Sequence, residues 1–172
     1  MHRSYLTKFE VIFKSPITQQ IFSSLCRIVD DGDDQFTGTV ATLRSHGMTN
    51  ASLHIIYRAV VVAKLMYAAS AWWSFTTAAD RQRLDAVIRR TKRSCLCSSD
   101  LPSLAELIDN ADDDFFNNIL SNPHHVLHST LPKETASSYA LRRRRHNREL
   151  LDKSSRLVQS CFVVRMLYKD IY

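Results

Sequence analysis

The sequence predicts an all-α protein, and three observations lead to this fold class. Only three glycines and four prolines occur in 172 residues, so few positions force a break in helical structure. A long apolar stretch, Ser52–Trp73, carries only Arg58 and Lys64 as formal charges. Residues typical of helix N-termini precede several segments with helical periodicity, whereas alternating strand patterns are few. We therefore expect a small helical bundle around a central apolar helix.

The apolar stretch 52–73 defines the expected central helix. Helical spacing places six side chains on one stripe: Leu53, Ile56, Tyr57, Val60, Tyr67 and Ala71. The remaining faces are apolar as well, with Ile55, Val61, Val62, Leu65 and Met66. Such a helix is normally covered by other helices, so we expect it to be buried. Its length also suits a membrane span of about 30 Å, but each of its two cations would cost roughly 2.5–3.5 kcal/mol near mid-bilayer.

Residues 1–42 form an N-terminal segment to which we assign no domain. Ser15 and Pro16 are typical of a helix start and predict a short helix. The acidic turn that follows contains Asp30 and Asp31, and paired aspartates hold Mg²⁺ in two-metal polymerases and nucleases. The aromatic residue and the β-hairpin of such a polymerase site are missing, so we interpret this turn as a solvated acidic loop.

Capping residues predict where the first helices of the bundle lie. A short helix is expected from Thr39 to His46, closed by Gly47 in the left-handed position that follows many helices. Thr49 or Asn50 is then in place to cap the central helix.

A two-sided helix is predicted between a capping box, Thr77–Asp80, and about Leu96. Its apolar face contains four side chains: Leu84, Val87, Ile88 and Cys95. Its other faces carry six cations: Arg81, Arg83, Arg89, Arg90, Lys92 and Arg93. One face is therefore expected to pack on the core, and the rest of the surface to be cationic.

Further capping and breaking residues divide the next part of the chain. Ser103 and Glu106 form a second capping box before a short helix, LAELIDNA. Asp112–Asp114 are expected in the first turn of another helix, which buries Phe115, Phe116, Ile119 and Leu120. Pro123 then begins a helical segment, HHVLHSTL, that Pro132 ends.

The last forty residues divide into a basic linker and a helix. Residues 133–153 are polar, show little helical stripe and contain a run of cations: Arg142, Arg143, Arg144, Arg145 and Arg148. Residues 154–172 are expected to form an amphipathic helix capped by Ser154 or Ser155. Its apolar face comprises Leu157, Val158, Cys161, Phe162 and Tyr168.

Cysteine and histidine side chains supply the elements of a Cys₂His₂ zinc site. Cys95 and Cys97 precede His124 and His128, which would share one face of a helix at a separation of four residues. A single residue separates the cysteines, fewer than the two to four usual between zinc-binding cysteines. We therefore predict no bound metal and interpret the histidines as surface or interhelical residues. Phosphate-cradling glycine loops and nucleophile motifs are also missing, so we expect no catalysis by this chain alone.

Charge and cysteine usage indicate the partner and the compartment. The formal net charge is +6, and the cations cluster near the aromatic residues Trp72, Trp73 and Phe75. Cations bind phosphates and flat rings stack on bases, which predicts non-specific binding of nucleic acid. The alternative is a solvated helix face with a basic linker. Four cysteines without a secretory framework, and no signal pattern, predict an intracellular protein, nuclear or cytoplasmic and not secreted.

Four blocks of sequence occur in the following order: LRSHGMTNASLHIIYRAVVVAKLMYAASAWWSFTTAADRQRLDAVIRRTKR, ILSNPHHVLHSTLP, RRRRHNRELL and RMLYKDIY. Together these blocks resemble the C-terminal region of reverse transcriptases from non-LTR retrotransposons of the LINE and jockey type. The resemblance extends over Leu43–Tyr172, about three-quarters of the chain.

The resemblance implies a fold and an activity. In the family this region follows the catalytic palm and supplies the thumb, a small helical bundle that grips the primer–template duplex, and a tail. By that resemblance residues 43–132 are thumb-like, with Tyr57, Tyr67, Trp72 and Trp73 in the core and the basic helix outside. The family's activity is RNA-directed DNA polymerisation by two Mg²⁺ ions. This chain has no palm, so we expect it to bind RNA or RNA–DNA duplex weakly, without a cofactor and without polymerising.

Departures from the family's pattern carry further expectations. Ser70 and Ser74 stand where proline and glycine are common, so the central helix is expected to continue through Trp73. The resemblance begins abruptly near Leu43, and the pair at residues 30–31 lies too close to it to be the catalytic aspartates. We therefore expect a 5′-truncated element copy that begins in unrelated sequence. Two alternatives stay open: a helical interaction protein or non-functional fragment, and a membrane-associated protein.

Overall fold

A computed structural model of the chain describes residues 38–40, 42–135 and 145–169, and it confirms the predicted all-α fold. Outside turns, these residues form helices and one isolated antiparallel β-bridge between Glu134 and Arg148. They divide into two compact units, one ending at Asp109 and the other beginning at Asn110. This boundary lies inside the segment that the sequence predicts as one bundle. The predictions for residues 1–37, including the acidic turn, lie outside the described residues.

The first unit begins with two helices whose ends the sequence predicts correctly. Residues 38–40 and 42–45 are helical (α1), and Gly47 follows with a φ of +84°. Helix α2, Asn50–Tyr57, is capped by Thr49, whose hydroxyl oxygen accepts a hydrogen bond from the Ser52 backbone N–H at 3.3 Å. A left-handed φ costs glycine little, which explains the position of Gly47.

The apolar stretch does not form one regular helix. Helix α2 passes into a π-helical segment, Arg58–Val62, followed by α3, Ala63–Met66. The chain is then interrupted at Ala68, which has a φ of +50°. Helix α4, Ala69–Trp72, and a 3₁₀ turn, Trp73–Phe75, come after it. The prediction that the helix continues unbroken through Trp73 was therefore wrong.

The interruption is accommodated by a side chain. The indole N–H of Trp72 donates a hydrogen bond to the carbonyl oxygen of Tyr67 at 2.9 Å, and so satisfies an acceptor that the break leaves outside the helix. Trp72 itself is buried, so its packing and this hydrogen bond together stabilise a left-handed Ala68 that would otherwise be strained.

The π-helical segment also moves the buried stripe. Leu53 and Tyr57 are buried four residues apart, but the next buried side chain is Val62, five residues on, followed by Leu65. A π-helix accommodates one more residue per turn than an α-helix, so the register shifts by one position. The predicted stripe is therefore wrong beyond Tyr57: Val60 and Tyr67, predicted inside, have 49% and 66% of their surface exposed.

The expectation of a helix covered on all faces was also wrong. Ile55 is 69% exposed, and Ala59, Ala63, Arg58 and Lys64 are exposed as well. The apolar stretch therefore has a buried side and an exposed side that also carries its two cations.

Helix α5, Ala78–Arg93, is the predicted two-sided helix. Both hydrogen bonds of the predicted capping box are present, since the Asp80 N–H donates to Thr77 Oγ1 and the Thr77 N–H donates to Asp80 Oδ2, each at 3.2 Å. The buried face consists of Leu84, Val87, Ile88 and Thr91. Cys95 was wrongly assigned to this face, because the helix ends at Arg93 and a φ of +54° turns Cys95 to solvent.

The core of the first unit joins α5 to the apolar stretch. The hydroxyl groups of Tyr57 and Thr91 lie 2.9 Å apart inside it, in hydrogen-bonding contact. Around them pack Val62, Leu65, Ala69, Trp72, Trp73, Leu84, Val87, Ile88, Cys97, Leu101, Leu104 and Ile108. Arg44 stabilises the far end of α5, because its guanidinium donates to the carbonyl oxygens of Ser94 and Cys95 at 3.2 and 2.9 Å.

Helix α6, Leu104–Ser121, is longer than the sequence predicts. The capping box is confirmed: the Ser103 N–H donates to Glu106 Oε2 at 2.8 Å, and these hydrogen bonds hold the pKa of Glu106 below its usual value. The expected helix break before Asp112–Asp114 was wrong. No proline or glycine interrupts this segment, and Asp112 and Asp113 pair with cations far along the chain instead of starting a helix.

The second unit completes α6 and adds short helices. After a 3₁₀ turn, His128–Thr130, the chain forms α7, Arg156–Ser160, and α8, Phe162–Tyr168. Two predictions were wrong here. HHVLHSTL is made of turns apart from that 3₁₀ turn, and the C-terminal helix is interrupted at Cys161, whose ψ of 136° is extended.

The interruption at Cys161 changes which C-terminal side chains are buried. The predicted cap is confirmed, since Ser155 Oγ accepts from the Val158 N–H at 3.2 Å. Leu157, predicted inside, is 40% exposed. The core of this unit is formed by Phe116, Ile119, Phe162, Val163, Met166 and Leu167.

Candidate nucleic-acid interface

Helix α5 exposes four of its six cations on one side. Arg83, Arg89, Arg90 and Arg93 are exposed, whereas Leu84, Val87, Ile88 and Thr91 are buried. At 100° per residue the four arginines lie within an arc of roughly 120°, opposite the buried face. We call these four residues the basic face. The helix positions this face rigidly because its other side is fixed in the core.

Arg81 holds the start of α5 in place instead of joining the basic face. Its guanidinium lies 4.6 Å from the ring centre of Trp73, and it donates to Thr76 Oγ1 at 2.9 Å and to the Trp73 carbonyl at 3.1 Å. The Arg81 guanidinium is therefore already engaged by a cation–π contact and two hydrogen bonds, and fewer of its N–H donors remain for a phosphate.

Lys92 is engaged in the same way at the other end of the helix. Its ammonium group donates to the carbonyl oxygen of Leu101, in the segment that leads to α6. The sequence therefore predicts the helix correctly, but two of the six cations proposed to bind nucleic acid, Arg81 and Lys92, make contacts that stabilise the fold.

The aromatic residues near α5 are arranged differently from the prediction. Trp72 and Trp73 are buried and meet edge to face, with ring centres 5.9 Å apart. They agree with the expected core position and are not available to stack on bases. Tyr67, expected in the core, is exposed because it precedes the interruption at Ala68. Phe75, beside the start of α5, is 38% exposed.

The predicted run of arginines is only partly described. Arg142, Arg143 and Arg144 lie outside the described residues. Arg145 and Arg148 do not behave as parts of a free linker, because both are partly buried and bound within the second unit. Arg145 Nη1 lies 2.6 Å from Asp113 Oδ1, and Arg148 Nη2 lies 3.1 Å from Glu134 Oε1.

Two adjacent carboxylates of α6 form ion pairs with three cations. Asp112 is fully buried and lies 2.7 Å from Arg165 Nη2, while Asp113 Oδ1 lies 2.7 Å from Lys169 Nζ and also binds Arg145. Desolvation by itself would raise the pKa of Asp113, but hydrogen bonds from Lys169 and Arg145, together with their charges, bring it below its usual value. Asp113 is therefore ionised at neutral pH.

The arrangement needed for zinc is missing from the described part of the chain. His124 and His128 do not share a helix, since residues 122–127 form turns. Cys97 is buried, and desolvation raises the pKa of its thiol above the ordinary value, which disfavours the thiolate. No three His, Cys, Asp or Glu side chains among the described residues are placed to hold a metal ion.

Sequence reasoning missed the ion pairs that the carboxylates at residues 112 and 113 form with cations late in the chain. Arg165 and Lys169 are four residues apart and so share a helical side, which was the available signal. It also missed the exposed apolar side of Asn50–Phe75. That segment is long and apolar enough to cross a membrane, and only 28% of its most apolar window is buried.

Comparisons with known proteins do not identify a family. No family model matches the chain, and no match is found among curated proteins or among solved structures. The assignment to a family therefore depends on the resemblance of its four sequence blocks.

Proposed function

We propose that this chain corresponds to the thumb and tail of a non-LTR retrotransposon reverse transcriptase and binds RNA or RNA–DNA duplex without sequence preference. The family rests on the resemblance of the four blocks. The binding rests on one observation, the basic face of α5, where four arginines lie together on a helix whose opposite side is buried.

The dimensions of the basic face suit a phosphate backbone. Arg83 and Arg93 are ten residues apart, which is about 15 Å along a helix axis. One strand of a duplex presents a phosphate every 3.4 Å along its axis, so about four phosphates face four guanidinium groups. Exposed arginine side chains reach such phosphates with paired donors.

The same face gives no means of reading a base sequence. Arginines that bind phosphates set position and affinity, whereas sequence is read by side chains that reach base edges in a groove. The sequence shows neither helix-turn-helix nor zinc-finger spacing. Binding is therefore expected to depend strongly on salt and weakly on sequence.

Replacing the basic face tests this proposal. In the variant R83A/R89A/R90A/R93A, the log–log slope of duplex affinity against salt should become shallower by about three to four units. The matched control, R58A/K64A/K133A/R156A, removes the same charge from exposed positions elsewhere and should change the slope by less than about one unit. Equal effects of the two variants would exclude the basic face as the binding surface.

The absence of polymerase activity is a separate claim. Primer extension on an RNA template in the presence of Mg²⁺ should give no product above background with the purified chain. Robust Mg²⁺-dependent synthesis by the purified chain would overturn the proposal that it corresponds only to a thumb and tail.

Membrane association is a second candidate function, favoured by the exposed apolar side chains of the Asn50–Phe75 segment. Arg58 and Lys64, on the exposed side, and the interruption at Ala68 disfavour a regular span. Alkaline carbonate extraction of the expressed chain distinguishes the two, since retention in the membrane pellet supports insertion and release supports the soluble form.

A further inference from the structure

We propose that Arg145 and Lys169 form a second phosphate-binding site for the nucleic-acid backbone, and that Asp113 occupies this site from within the chain. Both cations contact the same carboxylate oxygen, Asp113 Oδ1, at 2.6 and 2.7 Å. The inference rests on the proposed nucleic-acid binding and adds to it a site in the second unit with a built-in competitor.

The site is constructed like one for an oxyanion. A guanidinium and an ammonium group converge on one negatively charged oxygen, as they do on a phosphate oxygen. Arg145 is held in position from three sides: its Nη2 donates to the Asp113 carbonyl at 3.2 Å, contacts Asn117 Oδ1 at 3.4 Å, and its guanidinium lies 5.6 Å from the ring centre of Phe116. None of these three contacts uses the Asp113 carboxylate, so they keep the guanidinium in place when that carboxylate leaves.

The site is accessible to an external anion. The side chains of Asp113, Arg145 and Lys169 are 34%, 17% and 20% exposed, so the shared oxygen lies near solvent. Neighbouring Asp112 differs, since its carboxylate is fully buried against Arg165. A phosphate can therefore exchange with Asp113 while the Asp112 pair keeps α6 and α8 together.

Asp113 competes effectively with an external phosphate because it is charged and belongs to the same chain. Its lowered pKa keeps it ionised at neutral pH. It lies on the same helix as the groups that hold Arg145, so its effective concentration at the site is high. Duplex binding in the second unit is consequently weaker than the cations alone would give, and removing this carboxylate charge should strengthen it.

The substitution D113N tests the site, with D114N as the matched control. Both remove one negative charge from the same turn of α6, but Asp114 is exposed, and among the residues that the structure describes no cation forms an ion pair with it. D113N should bind a 20-base-pair RNA–DNA duplex more tightly at low salt and steepen the log–log salt slope by about one unit, for one additional phosphate. D114N should leave the slope unchanged. Equal slopes for the two variants would overturn the proposal.

Two additional measurements make the test specific. Adding R145A and K169A to D113N should return the slope to the wild-type value, and a steep slope without these cations would overturn the site. In wild-type protein, duplex titration should shift the ¹³C carboxyl resonance of Asp113 and not that of Asp114. This measurement needs no variant, so it decides the question even if D113N unfolds; an unmoved Asp113 resonance at saturation contradicts the inference.

The two proposals fail in different ways. If the wild-type chain binds no duplex, the proposed function fails. If the α5 variant loses its salt slope while D113N behaves like D114N, the basic face stands and the second site is wrong.

Discussion

Deleting one residue from the π-helical segment tests how the apolar stretch finds its register. The buried side chains Tyr57 and Val62 are five residues apart across Arg58–Val62. Removing exposed Ala59 places them four residues apart, which is the spacing that a regular α-helix uses to keep two side chains on one face. The deletion is therefore expected to preserve the buried stripe on both sides of the segment.

The same deletion in a regular helix should be far more harmful. Removing exposed Arg89 from α5 rotates one part of the helix by 100° relative to the other. Either Leu84 and Val87 or the residues that follow then leave the core, and burying each such apolar side chain is worth about 1.5–3 kcal/mol. The deletion of Arg89 should therefore cost on the order of 3–6 kcal/mol, and that of Ala59 less than about 1.5 kcal/mol.

Urea denaturation followed by circular dichroism and tryptophan fluorescence measures both costs, because Trp72 and Trp73 report on this core. The expected result is a nearly unchanged midpoint for the Ala59 deletion and a large loss for the Arg89 deletion. If the Ala59 deletion is as destabilising as the Arg89 deletion, the π-helical register is not what places Val62 and Leu65 inside.

Three further predictions concern the second unit. R165A leaves the carboxylate of Asp112 buried without its partner and should cost about 3–5 kcal/mol in urea denaturation. H146A leaves unpaired the Leu167 carbonyl and the Arg148 N–H, which the His146 ring contacts at 2.9 and 3.1 Å. The expected cost is about 2–3 kcal/mol, and an unchanged urea midpoint would contradict it. The pKa of Asp113 is lower in the folded chain than its usual value of 3.8. The stability that its ionised carboxylate contributes to the fold is therefore fully present above about pH 4, and it is lost as the pH falls through the folded pKa. A pH series of urea midpoints should fall less steeply for D113N in this acidic range.

Helix starts could be predicted from the sequence because their determinants are local. Thr49, Thr77, Ser103 and Ser155 each bond a backbone N–H three residues ahead, and these contacts require nothing from the rest of the chain. Interruptions inside the helices could not be predicted in this way. The break at Ala68 depends on how the Trp72 side chain packs, which a periodic pattern does not contain.

In the candidate site, too, features set by local periodicity could be predicted, whereas contacts with other segments could not. Periodicity alone identifies the basic face, because exposure of the four arginines follows from burial of the opposite side of α5. The fixed positions of Arg81 and Lys92 depend on Trp73 and Leu101, which lie on neighbouring segments. The burial of Asp112 was not predictable either, since its partner Arg165 lies more than fifty residues away.

The distribution of charge explains why the two units are expected to bind duplex unequally. Described residues up to Asp109 contain nine Lys or Arg and five Asp or Glu, whereas those from Asn110 contain seven and six. In the second unit, the cations at 145, 148, 165 and 169 are held by carboxylates at 2.6–3.1 Å. If the proposed duplex binding is correct, we expect phosphate to be attracted first to α5, and the second unit to contribute only after Asp113 is displaced. Amide hydrogen exchange should accordingly show duplex-dependent protection first in α5, and protection that starts in α8 would reverse this order.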